Sequence, residues 1–165
     1  MKILVIAEKP SQGRDIAGAI EPKVVRRDGY LEGQKYIITW GVGHMLQLKD
    51  PGEINPIYEK WNLANLPIKI EEKNIIGNYK PNPNTTNQLK VVEELLKRED
   101  IKGIINATDP DREGELIFQN IYEYFKVDRP VKRLIIKDLT PDGIREQFSL
   151  LEPGAKYEGL KMSAY

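Results

Sequence analysis

Residues 109–115 (DPDREGE) combine four carboxylates within seven positions, at Asp109, Asp111, Glu113 and Glu115. We call this stretch the acidic turn, because it lies between an apolar run (GIINAT) and an amphipathic one. In an extended segment, Asp109, Asp111 and Glu113 would point to one face. Like charges at such short range raise one another's pKa, and a divalent cation relieves the repulsion. Carboxylate oxygens suit Mg²⁺ better than zinc, so the spacing predicts a magnesium site.

Helix capping is a simpler explanation of the same acids. Aspartate and glutamate are favoured in the first turn of a helix, where each contributes about 0.3–1 kcal/mol. One cap and one partner for the helix dipole would account for only part of the cluster. The capping explanation therefore stays open beside the metal site.

Length and composition restrict the class of protein. The chain has 165 residues, of which 40% are apolar and 30% charged, as in a globular domain with a real core. Lys plus Arg equals Asp plus Glu at 25 each, so any basic surface must be local. The absence of cysteine excludes disulfides and thiolate zinc sites, and a single histidine argues against a histidine-based metal site. No apolar run is long enough to span a membrane and no signal peptide is recognisable, so the expected compartment is the cytoplasm.

The first strand and helix are predicted from residues 2–20. Residues 2–7 (KILVIA) are almost all apolar without alternation, which is typical of a parallel strand buried on both faces. The strand ends at Glu8, and Ser11 is the expected N-cap of the helix that follows. Because ligands bind at the carboxyl ends of strands in such sheets, Glu8 is a candidate site residue.

The remaining elements alternate in type. The sequence predicts a turn or hairpin in residues 21–34, strands at 36–40 and 133–136, and a strand that begins at Ile104-Ile105 and leads into the acidic turn. Residues 50–87, which we call the excursion, are rich in Pro, Asn and Gly, with a possible strand at 68–70. Helices are predicted at the apolar stripe of residues 89–96, after the acidic turn, and from Thr140-Pro141. This order favours a mainly parallel sheet covered by helices, with Glu8 and Asp109 at one edge.

Several motifs together resemble the Toprim domains of bacterial type IA DNA topoisomerases, in particular those of the topoisomerase III kind. They are AEKPS at 7–11, Thr39-Trp40 with Gly43-His44, KWNL at 60–63 with Leu66-Pro67, DPDREGE at 109–115, and Asp138-Leu139-Thr140. The resemblance covers essentially the whole chain. It implies an α/β Toprim (Rossmann-like) fold, a mainly parallel sheet with helices on both faces.

The same resemblance implies a domain division. Residues 1–150 would form the Toprim domain, and residues 151–165 would begin the following topoisomerase domain and be poorly anchored. Type IA enzymes cut one DNA strand with a tyrosine in a later domain, and neither Tyr157 nor Tyr165 lies in a matching motif. This stretch alone is therefore expected to be inactive, and we also expect it to be monomeric.

Roles for individual residues follow from the resemblance. Glu8, Asp109, Asp111 and Glu113 would hold Mg²⁺, and Glu8 could instead exchange a proton with the 3′-oxygen. Lys9 would stabilise charge on the scissile phosphate. Arg112 would contact phosphate or screen the neighbouring acids. His44 would lie near the active edge, and Trp61 would either belong to the core or stack on single-stranded DNA.

Two other classes of protein remain as alternatives. A primase, a small ribonuclease or an OLD-type nuclease would share the glutamate and the DxDxE pattern, but not the segments around His44 and Trp61. A non-catalytic acidic metal-binding module is the second alternative. A phosphoacceptor receiver domain also gathers acids at strand ends, and Lys137 could imitate its lysine, but Glu8 and the excursion fit it poorly.

Overall fold

Nine strands and five α-helices form the chain in the computed structural model, which describes residues 1–69, 72–157 and 159–160. The strands are β1 (Lys2–Ala7), β2 (Val25–Arg27), β3 (Tyr30–Glu32), β4 (Tyr36–Trp40), β5 (Leu46–Leu48), β6 (Tyr79–Pro81), β7 (Ile101–Ala107), β8 (Val131–Arg133) and β9 (Glu152–Pro153). The helices are α1 (Pro10–Ile20), α2 (Pro51–Ile54), α3 (Thr86–Lys97), α4 (Arg112–Tyr124) and α5 (Pro141–Ser149).

Seven of the strands make one sheet in the order β2-β3-β4-β1-β7-β8-β9. The four central strands β4, β1, β7 and β8 are parallel, and the outer strands are antiparallel to their neighbours. β5 and β6 form a separate antiparallel pair. The predicted fold class, a mainly parallel sheet with helices, is confirmed.

Helices cover both faces of this sheet, which explains why β1 is apolar without alternation. Leu4 and Ile6 pack with the buried side chains of α3 and α4. Val5 and Ala7 pack on the other face with those of α1 and α5. Since both faces are removed from water, every position from Leu4 to Ala7 is buried, and each apolar side chain contributes to one core layer.

Two predicted boundaries are wrong. Helix α1 begins at Pro10 with Lys9 as N-cap, not after Ser11, because proline has the helical φ and needs no hydrogen bond at the first position. β8 ends at Arg133 instead of beginning there. Its register is set by pairing with β7, which starts where the Ile104 N–H donates to the Pro130 carbonyl.

The excursion is mostly irregular, as predicted. It contains α2, β6 and short 3₁₀ turns, the latter at Pro56–Tyr58, Leu63–Asn65, Glu72–Asn78 and Pro83–Thr85. The strand predicted at 68–70 is wrong for Ile68 and Lys69, which are not in a strand, and Ile70 lies outside the described residues. Local asparagine caps compete with sheet formation in this stretch.

Residues 152–157 are better anchored than the poorly anchored segment that was expected. Glu152–Pro153 joins the sheet as β9, and a 3₁₀ turn follows at Gly154–Tyr157. None of the helices in the described ranges is long and apolar enough to cross a membrane.

Candidate functional site

Glu8 and Asp109 meet at the carboxyl edge of the central sheet. The parallel register pairs Ala7 with Ala107, so both strands end at the same level. The Asp109 N–H donates to Glu8 Oε2 at 2.7 Å. Buried Gln12 completes the link, because it accepts from the Glu8 N–H at 2.8 Å and donates to Asp109 Oδ1 at 3.1 Å. The prediction that one sheet edge gathers these two acids is confirmed.

The environment of Glu8 favours its protonated form. Burial raises the pKa of this carboxyl, and the charges of Asp109 and Asp111 raise it further. The hydrogen bond from the Asp109 N–H and the charge of Lys9 act in the opposite direction. A carboxyl with a raised pKa that still accepts a hydrogen bond is suited to exchanging a proton.

The other two acids of the DxDxE pattern do not extend along one face, so that part of the prediction is wrong. Helix α4 begins at Arg112, and Asp111 is its N-cap, with Oδ1 accepting from the Gly114 N–H at 2.7 Å. Glu113 lies in the first helical turn, with Oε1 3.4 Å from His44 Nε2. Capping, the simpler explanation, is therefore confirmed for Asp111.

Gly114 lets α4 begin directly against the end of β7. A Cβ atom at this position would lie 2.4 Å from the Asp109 carbonyl oxygen and 2.9 Å from Glu8 Oε2. Both distances are shorter than any van der Waals contact, so a side chain would push the helix away from the two acids. The glycine of DPDREGE thus sets the spacing of the site.

A buried ion pair lies beneath the acidic turn. Arg133 and Glu115 are each 1% exposed, and Arg133 Nε lies 3.2 Å from Glu115 Oε2. The geometry makes this an ion pair without a hydrogen bond, so Nε is the buried side-chain polar atom that lacks a hydrogen-bond partner within the described residues. Burial lowers the pKa of the Arg133 guanidinium, and the Glu115 carboxylate opposes that shift.

Arg133 also holds the backbone at the end of β7. Its terminal nitrogens donate to the carbonyls of Thr108 at 2.8 Å and Asp109 at 2.9 Å. Asn106 and Thr108 extend the network, since Asn106 Nδ2 donates to Glu115 Oε2 and Thr108 Oγ1 bonds to the Gly114 carbonyl. These groups fix the backbone of the acidic turn from inside the protein.

Comparison with known proteins identifies the family to which this fold belongs. The Toprim domain model matches residues 3–139. The chain belongs to the Toprim domain family. It is 40% identical over 164 residues to DNA topoisomerase 3 of Staphylococcus epidermidis, and 42% identical over 163 residues to that of Bacillus cereus.

These alignments cover 99% of this chain and 22% of each relative, so the Toprim chain spans about a fifth of their length. The full-length topoisomerase I structure from Thermotoga maritima superposes with a TM-score of 0.54 over 91% of this chain and 21% of that one. At 18% identity, this likeness supports the fold alone. The resemblance predicted from the motifs is confirmed.

The donor chemistry of the Toprim edge suits a hard cation. Glu8 and Asp109 present carboxylate oxygens side by side, with the Asp111 charge close enough to act on Glu8. Across the part of the chain that the structure describes, no three acidic or histidine side chains already form a metal-holding group. This incomplete set fits Mg²⁺, which commonly keeps several waters and takes one or two protein carboxylates plus phosphate oxygens.

The predicted DNA-contacting residues lie in two places. Lys9 is exposed directly before α1, Arg112 is exposed at the first position of α4, and the side chain of His44 lies beside Glu113 of the acidic turn. Trp61 is 86% exposed, so its alternative placement in the core is wrong. It lines an open cavity of about 620 Å³ in the excursion, together with Tyr58.

Sequence reasoning missed Gln12 and Arg133. A signal was present for Arg133, because a charged residue directly before an apolar run (LII) in a predicted strand requires a buried partner. Gln12 carried no comparable signal, since a glutamine in the first turn of a helix is usually solvated.

Proposed function

We propose that this Toprim domain supplies the acidic, Mg²⁺-binding part of the active site of a type IA DNA topoisomerase of the topoisomerase III kind. Such an enzyme relaxes or decatenates DNA through single-strand breakage. The observation that carries the proposal is the Glu8–Asp109 pair, held by Gln12 at the carboxyl ends of adjacent parallel strands. The names of the relatives favour a topoisomerase over a primase or a nuclease.

Mg²⁺ bound at this edge would neutralise phosphate charge and orient the ends of the broken strand for rejoining. Glu8 and Asp109 would hold it, with Asp111 as a third ligand and Glu113 nearby. The raised pKa of Glu8 supports a second role, in which its carboxyl exchanges a proton with the 3′-oxygen.

Exposed cations would bind the DNA. We assign Lys9 to the scissile phosphate and Arg112 to a neighbouring one, since both lie at the same edge as Glu8. His44 would act beside Glu113, and the exposed indole of Trp61 would stack on a base of single-stranded DNA. The attacking tyrosine would come from another domain of the intact enzyme. A monomeric state and a cytoplasmic location belong to the same proposal.

A magnesium titration of the 165-residue chain, followed by NMR, tests the metal site. We expect the amides of Glu8, Asp109 and Asp111 to shift first and to saturate together, with weak affinity because water completes the coordination shell. A parallel series in Ca²⁺-free buffer without Mg²⁺, at matched ionic strength, is the control for the screening of surface charges. Shifts spread evenly over all acidic surfaces would contradict the proposal.

Two variants of the full-length protein separate proton transfer from metal binding. Glu8→Gln keeps the hydrogen-bond acceptor but removes the exchangeable proton, so plasmid relaxation should slow about 10²–10⁴-fold at every Mg²⁺ concentration. Asp111→Asn should weaken the metal site, and its defect should shrink as Mg²⁺ is raised, because mass action refills the site. If high Mg²⁺ rescues both variants equally, Glu8 is only a metal ligand.

A further inference from the structure

The chain after α5 covers one side of the buried Arg133 guanidinium. β9 pairs with β8 so that Glu152 lies opposite Arg133. The following 3₁₀ turn then places the Tyr157 ring centroid 5.8 Å from Arg133 Cζ. This distance is within the range of cation–π attraction. We call residues 152–157 the cover segment.

Hydrogen bonds within the cover segment fold it, and its pairing with β8 places it against that strand. The Tyr157 hydroxyl donates to Glu152, and Lys156 Nζ donates to the same carboxylate at 3.0 Å. Gly154 allows the close approach, because a Cβ atom there would lie 3.0 Å from Val131 Cγ1 and 3.1 Å from the Val131 carbonyl oxygen. The close approach at Gly154 therefore brings the ring of Tyr157 over the guanidinium.

The guanidinium beneath Tyr157 is the group that holds the acidic turn. Its nitrogens donate to the Thr108 and Asp109 carbonyls, and its Nε lies against Glu115. Hydrogen bonds of a charged donor are stronger where water is excluded. Water admitted to this guanidinium would compete with the two carbonyls and loosen the backbone of Asp109, whose N–H binds Glu8.

We propose that Tyr157 is a positioning residue for the acidic turn, acting through Arg133. The aromatic ring excludes water from the guanidinium, and the guanidinium fixes the backbone from which Asp109 projects. The effect on metal binding rests on the proposed function, whereas the effect on the turn itself does not.

Three variants of the 165-residue chain test this role. Tyr157→Leu removes the ring, Tyr157→Phe keeps it without the hydroxyl, and Tyr124→Leu is the matched control. Tyr124 is also half-buried and packs edge-to-face on Phe125, at the far end of α4. Amide hydrogen exchange and NMR shifts of Asp109 and Gly114 are measured without metal, and Mg²⁺ affinity is then measured by titration.

We expect Tyr157→Leu to speed exchange at Asp109 and Gly114 and to weaken Mg²⁺ binding by up to about tenfold, the lower end of effects from residues behind metal ligands. Tyr157→Phe should match the unmodified chain, and Tyr124→Leu should lose stability without either local effect. Identical turn behaviour in the two leucine variants would overturn the proposal, as would equal defects in Tyr157→Phe and Tyr157→Leu. A chain that shows no Mg²⁺ response at Glu8 would contradict the proposed function, while metal-free exchange would still decide the role of Tyr157.

Discussion

The acidic turn and the excursion differ in how their backbones are held. In the acidic turn, Asp109 is bound by Gln12, 97 residues away, and by Arg133, 24 residues away, and both of these side chains are buried. In the excursion, exposed Asn55 and Asn62 accept hydrogen bonds from backbone N–H groups only two residues ahead.

The backbone of the acidic turn is therefore held by buried side chains that are distant in sequence. The backbone of the excursion is held by hydrogen bonds between residues that are close in sequence. Opening the acidic turn requires breaking contacts between β1, β7, β8 and α4, several of which are buried, so we expect it to open less readily than the excursion. Opening a turn of the excursion breaks short-range hydrogen bonds already exposed to water. We expect substitutions in the two regions to differ accordingly, and the following variants measure by how much.

The largest difference is expected between Arg133→Met and Trp61→Ala. Removing Arg133 leaves Glu115 buried without its partner, which should cost about 3–5 kcal/mol in the free energy of unfolding. Removing the exposed Trp61 side chain should change it by less than about 0.5 kcal/mol. Urea unfolding gives both values.

A double variant sharpens this comparison. Arg133→Met with Glu115→Leu removes both charges, so much of the lost stability should return, because an apolar pair of similar volume needs no buried partner. A double variant no more stable than Arg133→Met would show that packing, and not the unpaired charge, causes the loss. Equal stabilities for Arg133→Met and Trp61→Ala would contradict the distinction between the two regions.

A smaller effect is expected when a methyl group is added to the acidic turn. In Gly114→Ala the new Cβ would lie 2.4 Å from the Asp109 carbonyl oxygen, so the start of α4 must shift, at about 1–3 kcal/mol. Gly18→Ala is the control, because a Cβ there meets nothing within 4 Å and alanine favours the helix by up to about 1 kcal/mol. Thermal unfolding should move in opposite directions for the two variants, and a Gly114→Ala chain as stable as the original would contradict the close approach.

The sequence predicts the central strands well, because a strand that is buried on both faces consists mostly of apolar residues. Mostly apolar runs at 2–7 and 36–40 place β1 and β4 at the residues observed. The same logic misplaces β8, because the apolar run at 134–136 follows the strand, and the register with β7 decides where pairing occurs. Strand existence follows from local composition, but register depends on a distant partner.

The sequence likewise predicts one part of the candidate site and not the rest. Glu8 and Asp109 are found because each directly follows an apolar strand, and parallel strands end at one edge. The roles of Gln12 and Arg133 depend on side chains that meet across the core, so no local spacing reveals them. The capping role of Asp111 is visible in the sequence but competes with an extended alternative, and only the start of α4 at Arg112 decides between them.

The smallest expected effect is the pH dependence of stability, which should have opposite signs in the two regions. At Glu8, burial raises the pKa above its ordinary value of 4.5, and the charges of Asp109 and Asp111 add to the shift. In the excursion, the hydrogen bond from Lys80 lowers the pKa of the exposed Glu53 carboxyl, and the Asp50 N–H lowers it further. The folded state thus favours the neutral form of one glutamate and the charged form of the other.

Replacing each glutamate by glutamine should reveal these signs. A raised pKa contributes stability that is present below pH 4.5 and is lost as pH rises through the folded value, so Glu8→Gln should become more stable than the original chain above that range. A lowered pKa contributes stability that is present above pH 4.5 and is lost in acid, so Glu53→Gln should be the less stable chain at neutral pH and equal at low pH. Thermal unfolding of the three chains from about pH 3 to about pH 8 measures both differences. Stability curves that diverge in the same direction would show that the Glu8 carboxylate is stabilised by its hydrogen bond to Asp109 more than burial disfavours it, and the proton-exchange role would lose its physical basis.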